Sequence, residues 1–321
     1  VNEKMRAVAL TDHGVLYGAL EFYKACKSRE IKPVIGCEVY VAQSGSRFDR
    51  GKRNEYSPEN GDSADGLTSS INYAHLILLA KDLVGYKNLI KLVSIGHTEG
   101  FYYKPRIDIE MLSKYSKGLV ATSACAGGVI SCYIVRDDLD TAKKMTGVYK
   151  DIFGDDFYLE IQDHKTIDAE KKVLAQMPKL AKKFGLKLIA TNDVHYIKKE
   201  HSVAHNIYLH LSAKQSKLTN NFNVTTDLRY GTDEIYFKSA AQMCELFKDY
   251  PEAIKSTIEV TEKCNLELDM KTNYMPNFKL PADVETSISF DDYLAIVSKE
   301  GMRKRIAVVN DETEKRLEYE L

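Results

Sequence analysis

Short apolar runs alternate with helix-period patterns through the first two hundred residues, and this rhythm constrains the fold more than any other feature of the chain. Residues 7–11, 34–41, 75–80, 118–123, 157–162 and 186–190 each read as a strand. Between them, Leu16, Leu20, Tyr23 and Ala25, and later Leu83, Leu89, Ile90 and Val93, mark the apolar faces of helices. Such alternation predicts an α/β protein built on a parallel sheet, either a closed (β/α) barrel or a doubly wound sheet, with functional groups at the strands' C-terminal ends. The polar residues 43–72 are expected as a long surface loop. Further on, the pattern predicts a helix over 198–213, a strand over 234–237, two short helices within 240–265 broken at Pro251, a linker over 274–289, and a charge-rich helix from 291.

Polar groups punctuate the strand ends. Asp193 and His195 lie two residues apart after the sixth run, so on an extended backbone their side chains project the same way. Asp12 and His13 follow the first run, Glu38 interrupts the second, and Cys125 lies just past the fourth. His75 instead opens the third run, which the strand-end rule does not explain. Imidazole, carboxylate and thiolate donors together suit zinc, manganese or iron rather than calcium. Six such groups exceed the needs of one tetrahedral ion, whereas two or three ions sharing them suit phosphate-ester hydrolysis. Taken singly, each also has a structural explanation as a hydrogen-bonded polar group. His201 and His205 share a helix face but lack the glutamate and third ligand of a helix-borne zinc site, so they read as surface or packing residues. Residues 101–106 cluster aromatics with Lys104 and Arg106, a packed turn or a candidate contact for a nucleic-acid strand. No G-x-G-x-x-G or P-loop is present to support a nucleotide cofactor.

Composition narrows the classes. A net charge of -1 and a pI near 6.8 give no overall basic footprint, so any nucleic-acid contact must be local. Six cysteines without a C-x-x-C pair, in a chain too long to need disulfide staples, read as reduced thiols of a cytosolic protein. No apolar run reaches membrane-spanning length, and no membrane partner is expected. The first six residues read as the tail of a helix entering a strand, and residues 313–321 stop inside a helical pattern, so the chain is expected to be a piece of a longer protein.

Four motifs then carry a resemblance: Thr11-Asp12-His13-Gly14, Pro33-Val34-Ile35-Gly36-Cys37-Glu38-Val39-Tyr40, Gly100-Phe101-Tyr102-Tyr103-Lys104-Pro105-Arg106-Ile107-Asp108 and Ala190-Thr191-Asn192-Asp193-Val194-His195-Tyr196. In order and through about residue 280, they resemble the PHP (polymerase and histidinol phosphatase) domain family, in its branch of bacterial DNA polymerase III alpha subunits. The resemblance implies a distorted seven-stranded (β/α) barrel over residues 1–280, with metal ligands at strand ends, and a mainly helical extension over 281–321 that begins a polymerase core. It implies a metal centre of up to three zinc, manganese or iron ions, with His13, Glu38, His75, Cys125, Asp193 and His195 as ligands, and Asp12 orienting one of them. His75 enters the set on this ground. The family site also uses an upstream His-x-His and one more residue that this chain does not contain. The implied activities are a metal-dependent 3′-to-5′ exonuclease here and, in the parent, a DNA-directed DNA polymerase (a nucleotidyltransferase using Mg) whose carboxylates lie beyond Leu321. The implied partners are primer-template DNA and other subunits of the replicative holoenzyme, in the bacterial cytoplasm. Two alternatives stand beside this: a metal-stabilised scaffold for the polymerase core and a proofreading subunit, and a histidinol-phosphatase-like enzyme, which residues 104–108 disfavour.

Overall fold

A computed structural model describes residues 5–43, 45–50, 73–212, 228, 230–284 and 287–321. The segment 51–72, most of the expected surface loop, lies outside the described residues, as does the end of the helix expected to reach 213. The chain divides into two compact units, Val1–Leu268 and Asp269–Leu321.

The first unit is a curled, half-barrel sheet with helices on its outer face. Eight strands contribute: β1 (Ala7–Leu10), β2 (Lys32–Ala42), β3 (Tyr73–Ala80), β4 (Phe101–Tyr102), β5 (Lys104–Ile107), β6 (Leu119–Thr122), β7 (Phe157–Ile161) and β8 (Lys187–Ala190). They run in the order β4-β5-β2-β3-β6-β7-β8, and β1 also pairs with β2. The long β2 serves two partners in succession: residues 32–35 pair with β1 and residues 40–41 with β5, both parallel. The β6–β7 and β7–β8 pairs are parallel too. The expected parallel sheet is corrected at β3, which runs antiparallel to both β2 and β6, and at the short β4, which runs antiparallel to β5. The expected strand over 234–237 reduces to a single bridge between Tyr196 and Tyr236.

Side chains alternate across the sheet, and the two faces differ in kind. Outward-facing Cys37, Val39, Leu76, Leu78, Leu119, Ala121, Phe157 and Leu159 join one large apolar core with the covering helices. Whereas α1 (Ala19–Lys27) packs Ala19 and Tyr23 into a smaller cluster with Ile35, Ala80 and Leu266, those helices are α2 (Leu83–Thr98), α3 (Ile109–Tyr115), α4 (Ser131–Val135), α5 (Leu139–Phe153) and α6 (Asp168–Phe184). Helix α6 shows why the sequence makes them. Val173, Met177, Leu180 and Ala181 form its buried stripe, acids sit in its first turn, lysines in its last, and Gly185 closes it in a left-handed conformation at φ 62°. Inward-facing Val34, Leu79, Val120, Tyr158 and Ile189 form a separate apolar floor. Beyond α7 (Ser202–Ser212) and α8 (Ala240–Leu246), helix α9 (Pro251–Lys263) begins at Pro251, and its Val260, with the following Cys264, packs onto that floor. The second unit carries α10 (Phe290–Arg305) and α11 (Asp311–Glu320), and Phe278 stacks on Tyr293 at 5.9 Å.

Two glycines of the first unit separate close packing from mere flexibility. A Cβ on Gly85, in the first turn of α2, would stand 1.8 Å from the carbonyl oxygen of Gly118, whereas one on Gly147 in α5 would meet only Phe184 Cε1 at 3.6 Å. Gly85→Ala is therefore expected to cost about 1–3 kcal/mol or more through overpacking. Gly147→Ala should gain about 0.5–1 kcal/mol through helix propensity. Urea unfolding midpoints of the two variants would check the opposite signs.

Candidate metal centre

Five separate segments bring the six candidate donors to one end of the inner face. After β1 the chain runs on alongside β2: Glu38 N–H donates to Asp12 O at 3.0 Å, Gly14 N–H donates to Glu38 O at 2.8 Å, and the Cys37 thiol donates to Asp12 O at 3.2 Å. This lays His13 beside Glu38, with Nε2 3.6 Å from Oε2. Gly14 takes a left-handed φ of 67° and lies so close to Pro105 and Tyr40 that a Cβ would come within 2.8 Å of Pro105. Asp12 thus acts on the site through its backbone carbonyl; among the described residues its carboxylate bonds none of the six.

His75 reaches the same place because β3 is reversed. It stands opposite Tyr40 in the β2–β3 register, diagonal to Glu38 on the same face, and its Nδ1 lies 2.6 Å from Glu38 Oε1. The turn after β6 returns Cys125, whose Sγ lies 3.6 Å from that nitrogen, while two backbone hydrogen bonds stitch the turn to His75: His75 N–H donates to Gly127 O at 3.1 Å and Val129 N–H donates to His75 O at 3.0 Å. After β8, Asp193 and His195 complete the group: the rings of His13 and His195 are 5.8 Å apart, and His195 Nδ1 is 3.8 Å from Asp193 Oδ1. His195 Nδ1 donates to the carbonyl of Asp193 at 2.7 Å, which leaves Nε2 as its available nitrogen.

The charges are coupled. Burial pushes the Glu38 carboxyl up, but the charge and hydrogen bond of His75, with the charges of His13 and His195, outweigh it and hold the pKa down at about 2. His75 is held above its ordinary range: burial opposes this, and Glu38 prevails. Burial lifts Asp193 above the usual carboxylate range against the pull of His195, and lifts the Cys125 thiol well above its ordinary value with help from Asp193 and Glu38.

The donor set fits a metal. One atom each from Glu38, His75 and Cys125 lies within 4.8 Å of the others. The 3.6 Å between Cys125 Sγ and His75 Nδ1 matches the roughly 3.5 Å that a sulfur and a nitrogen subtend on one tetrahedral zinc. Carboxylate, imidazole and thiol are the ligands of zinc, manganese and iron.

Other polar residues of the inner face escaped the sequence reading. Glu160, 4% exposed, accepts hydrogen bonds from Thr122, Thr191 and Gln162 just above the apolar floor, and burial raises its pKa. Its signal was an acid inside an apolar strand. His205, read as a surface or packing residue, packs 5.7 Å from His195 and stacks on Tyr230. The nucleic-acid reading of Arg106 is corrected. Its side chain is 1% exposed, donates to the carbonyls of Gly100 and Arg47, and lies over Tyr102, so it braces the β4–β5 hairpin from within. Lys104 extends instead over the ring of Tyr40, which itself packs on His75.

Comparisons with known proteins agree with this architecture. The PHP domain family matches residues 1–164, just over half of the chain. DNA polymerase III subunit alpha of Treponema pallidum is 37% identical over 316 residues, spanning 98% of this chain and 25% of that protein. The same subunit of Borreliella burgdorferi is 39% identical over 321 residues, 99% and 26%. That of Thermus aquaticus is 41% identical over 281 residues, 86% and 21%. The chain thus spans about a quarter of the length of these relatives. With its curled sheet and its inward cluster of glutamate, histidine and cysteine, the chain belongs to the PHP domain family, on the side that resembles bacterial DNA polymerase III alpha subunits.

Proposed function

We propose that this chain is the PHP portion of a bacterial replicative DNA polymerase, and that its inner-face cluster is a metal-dependent phosphoesterase that trims 3′ ends of DNA. The observation that carries the reading is the convergence of His13, Glu38, His75, Cys125, Asp193 and His195 from five segments. In this reading residues 281–321 open the polymerase core. DNA synthesis, its Mg ions, primer-template DNA, the other holoenzyme subunits and a cytoplasmic setting belong to the whole parent protein, which the similarity to DNA polymerase III alpha subunits supports. Among the described residues no helix is long and apolar enough to cross a membrane.

The six side chains would hold up to three zinc, manganese or iron ions, whose Lewis acidity activates water and stabilises charge on a phosphate ester. The chain's own groups prepare for this. Glu38 is kept ionised by the imidazoles around it, and His195 is fixed in one tautomer by the carbonyl of Asp193. Burial and the charges of Asp193, Glu38 and Glu160 hold the Cys125 thiol well above its ordinary range, so that a cation at the site would favour the thiolate. In this reading Lys104, whose ammonium lies over the ring of Tyr40, would contact the phosphate backbone of a strand.

Two outcomes test this reading. In the intact protein, metal analysis should find zinc, manganese or iron, and a 3′-labelled single-stranded oligonucleotide should lose its terminal nucleotide in a chelator-sensitive reaction. His195→Ala and Asp193→Asn should lower metal content and abolish that reaction. Undiminished hydrolysis in both variants would sink the assignment, and metal that raises the melting temperature without hydrolysis would favour the scaffold. The second outcome concerns the metal-free protein. Glu38, depressed from 4.5 to about 2, contributes stability above about pH 4.5 that is lost as pH falls toward 2. His75, raised from 6.5, contributes stability below 6.5 that is lost as pH rises through its elevated value. The wild-type advantage over Glu38→Gln in urea unfolding should therefore peak between about pH 4.5 and 6.5. An advantage that keeps growing above pH 7 would contradict the pairing.

A further inference from the structure

The two peptide groups that flank Asp193 are each gripped by an imidazole. On its C-terminal side, His195 Nδ1 donates to the carbonyl of Asp193 itself at 2.7 Å. On its N-terminal side, the carbonyl of Asn192 faces His164 Nε2 at 3.1 Å. Between them Asp193 adopts φ 43°, at the positive φ that residues with a side chain take infrequently, aspartate more often than most.

His164 is more deeply buried than the other histidines of the chain, and like His75 it faces a glutamate. It is 1% exposed, and its Nδ1 lies 2.6 Å from Glu170 Oε1. A carbonyl can only accept, and an ionised carboxylate can only accept, so a ring that serves both must donate from both nitrogens. Burial disfavours a charged ring here, but the hydrogen bond and charge of Glu170 outweigh it and hold the His164 pKa above its ordinary range. The other oxygen of Glu170 accepts the backbone N–H of His164 at 2.9 Å, which closes the pair on itself and fixes its orientation. The Asn192 side chain is anchored separately: its amide donates to the carbonyls of Glu234 and Tyr236, and its oxygen accepts from Lys238 at 3.1 Å. With both sides of Asn192 tied down, the turn into Asp193 has one available course.

We infer that His164, clamped by Glu170, is a positioning residue that sets the direction of the Asp193 carboxylate. This rests on reading Asp193 as a metal ligand, and it adds a part that neither the strand-end pattern nor the donor cluster contains. Partners that orient a ligand are worth roughly 10–100-fold in metal affinity when removed.

The test uses the intact, metal-free protein labelled with nitrogen-15 in histidine and with carbon-13 and nitrogen-15 in aspartate and asparagine. Wild type should show two slowly exchanging ring N–H signals for His164. In His164→Ala and in Glu170→Gln the backbone shifts of Asn192 and Asp193 should leave their left-handed pattern while unfolding remains cooperative. Glu170→Gln, which keeps the volume, serves if His164→Ala does not fold. Zinc titration should then show a loss of about 10–100-fold at the equivalent that Asp193→Asn also removes. Unchanged shifts in both variants would overturn the inference, as would altered shifts with wild-type zinc affinity. Should wild type bind no zinc, the metal reading fails by itself, and the backbone shifts still decide whether His164 positions Asp193.

Discussion

The reversal of one strand organises the centre. Had β3 run parallel to its neighbours, its first residues would lie at the floor of the half barrel, far from the exits of β1, β6 and β8. Running antiparallel to β2 and β6, it delivers His75 to the end where Cys125, Asp193 and His195 emerge. The register with β2 then sets the closest contact of the site, since His75 opposite Tyr40 stands diagonal to Glu38 on the same face. Long β2 also carries β1 and β5 along its other edge, so the hairpin and the His13 loop are built onto the strand that holds Glu38.

Two buried acids on this face illustrate how partners, and not burial alone, decide a charge. Burial is the largest influence on both Glu38 and Glu160, and it pushes both upward. Glu38 faces three imidazoles and ends low; Glu160 faces two hydroxyls and an amide and ends high. Hydrogen bonds from neutral donors hold Glu160 in place without compensating a full charge, whereas the imidazoles around Glu38 do compensate it. The contrast separates an acid suited to a cation from one that braces the sheet beneath it.

Much of this was legible in the sequence because strands and chemistry share one period. The spacing of Asp193 and His195 singled out the right pair for the wrong reason, since β8 ends at Ala190 and Asp193 turns to φ 43°, so the two do not project from one extended strand. Glu38 stood out as an acid in an apolar run. His75 could not be placed by the strand-end rule, because strand direction depends on pairing partners distant in sequence. Arg106 looked like a surface cation beside aromatics, yet the hairpin folds it inward onto the carbonyls of Gly100 and Arg47. The clamp on Asp193 was out of reach for a similar reason. His164 and Glu170 are six residues apart across the start of α6, and the carbonyl they hold lies 28 residues further on. The helices α5 and α6 give the sheet its outer cover, and their amphipathic stripes align only once the sheet supplies a face to cover.

The placement of the polar cluster bears on what it is for. None of the six candidate donors belongs to the large outer core, and the inner floor is apolar and closed by α9. The fold therefore has its main hydrophobic stabilisation elsewhere. Grouping acids, imidazoles and a thiol in a partly desolvated space raises the free energy of the folded state unless each finds a partner, and apolar replacements of buried ion pairs are often neutral or stabilising. Sequences that break the rule of an apolar interior do so at functional sites. At the same place Asp193 holds a positive φ that residues with a side chain take infrequently. Desolvated charge and an infrequent backbone conformation coincide at the end of the sheet where the donors meet, and stability accounts for neither.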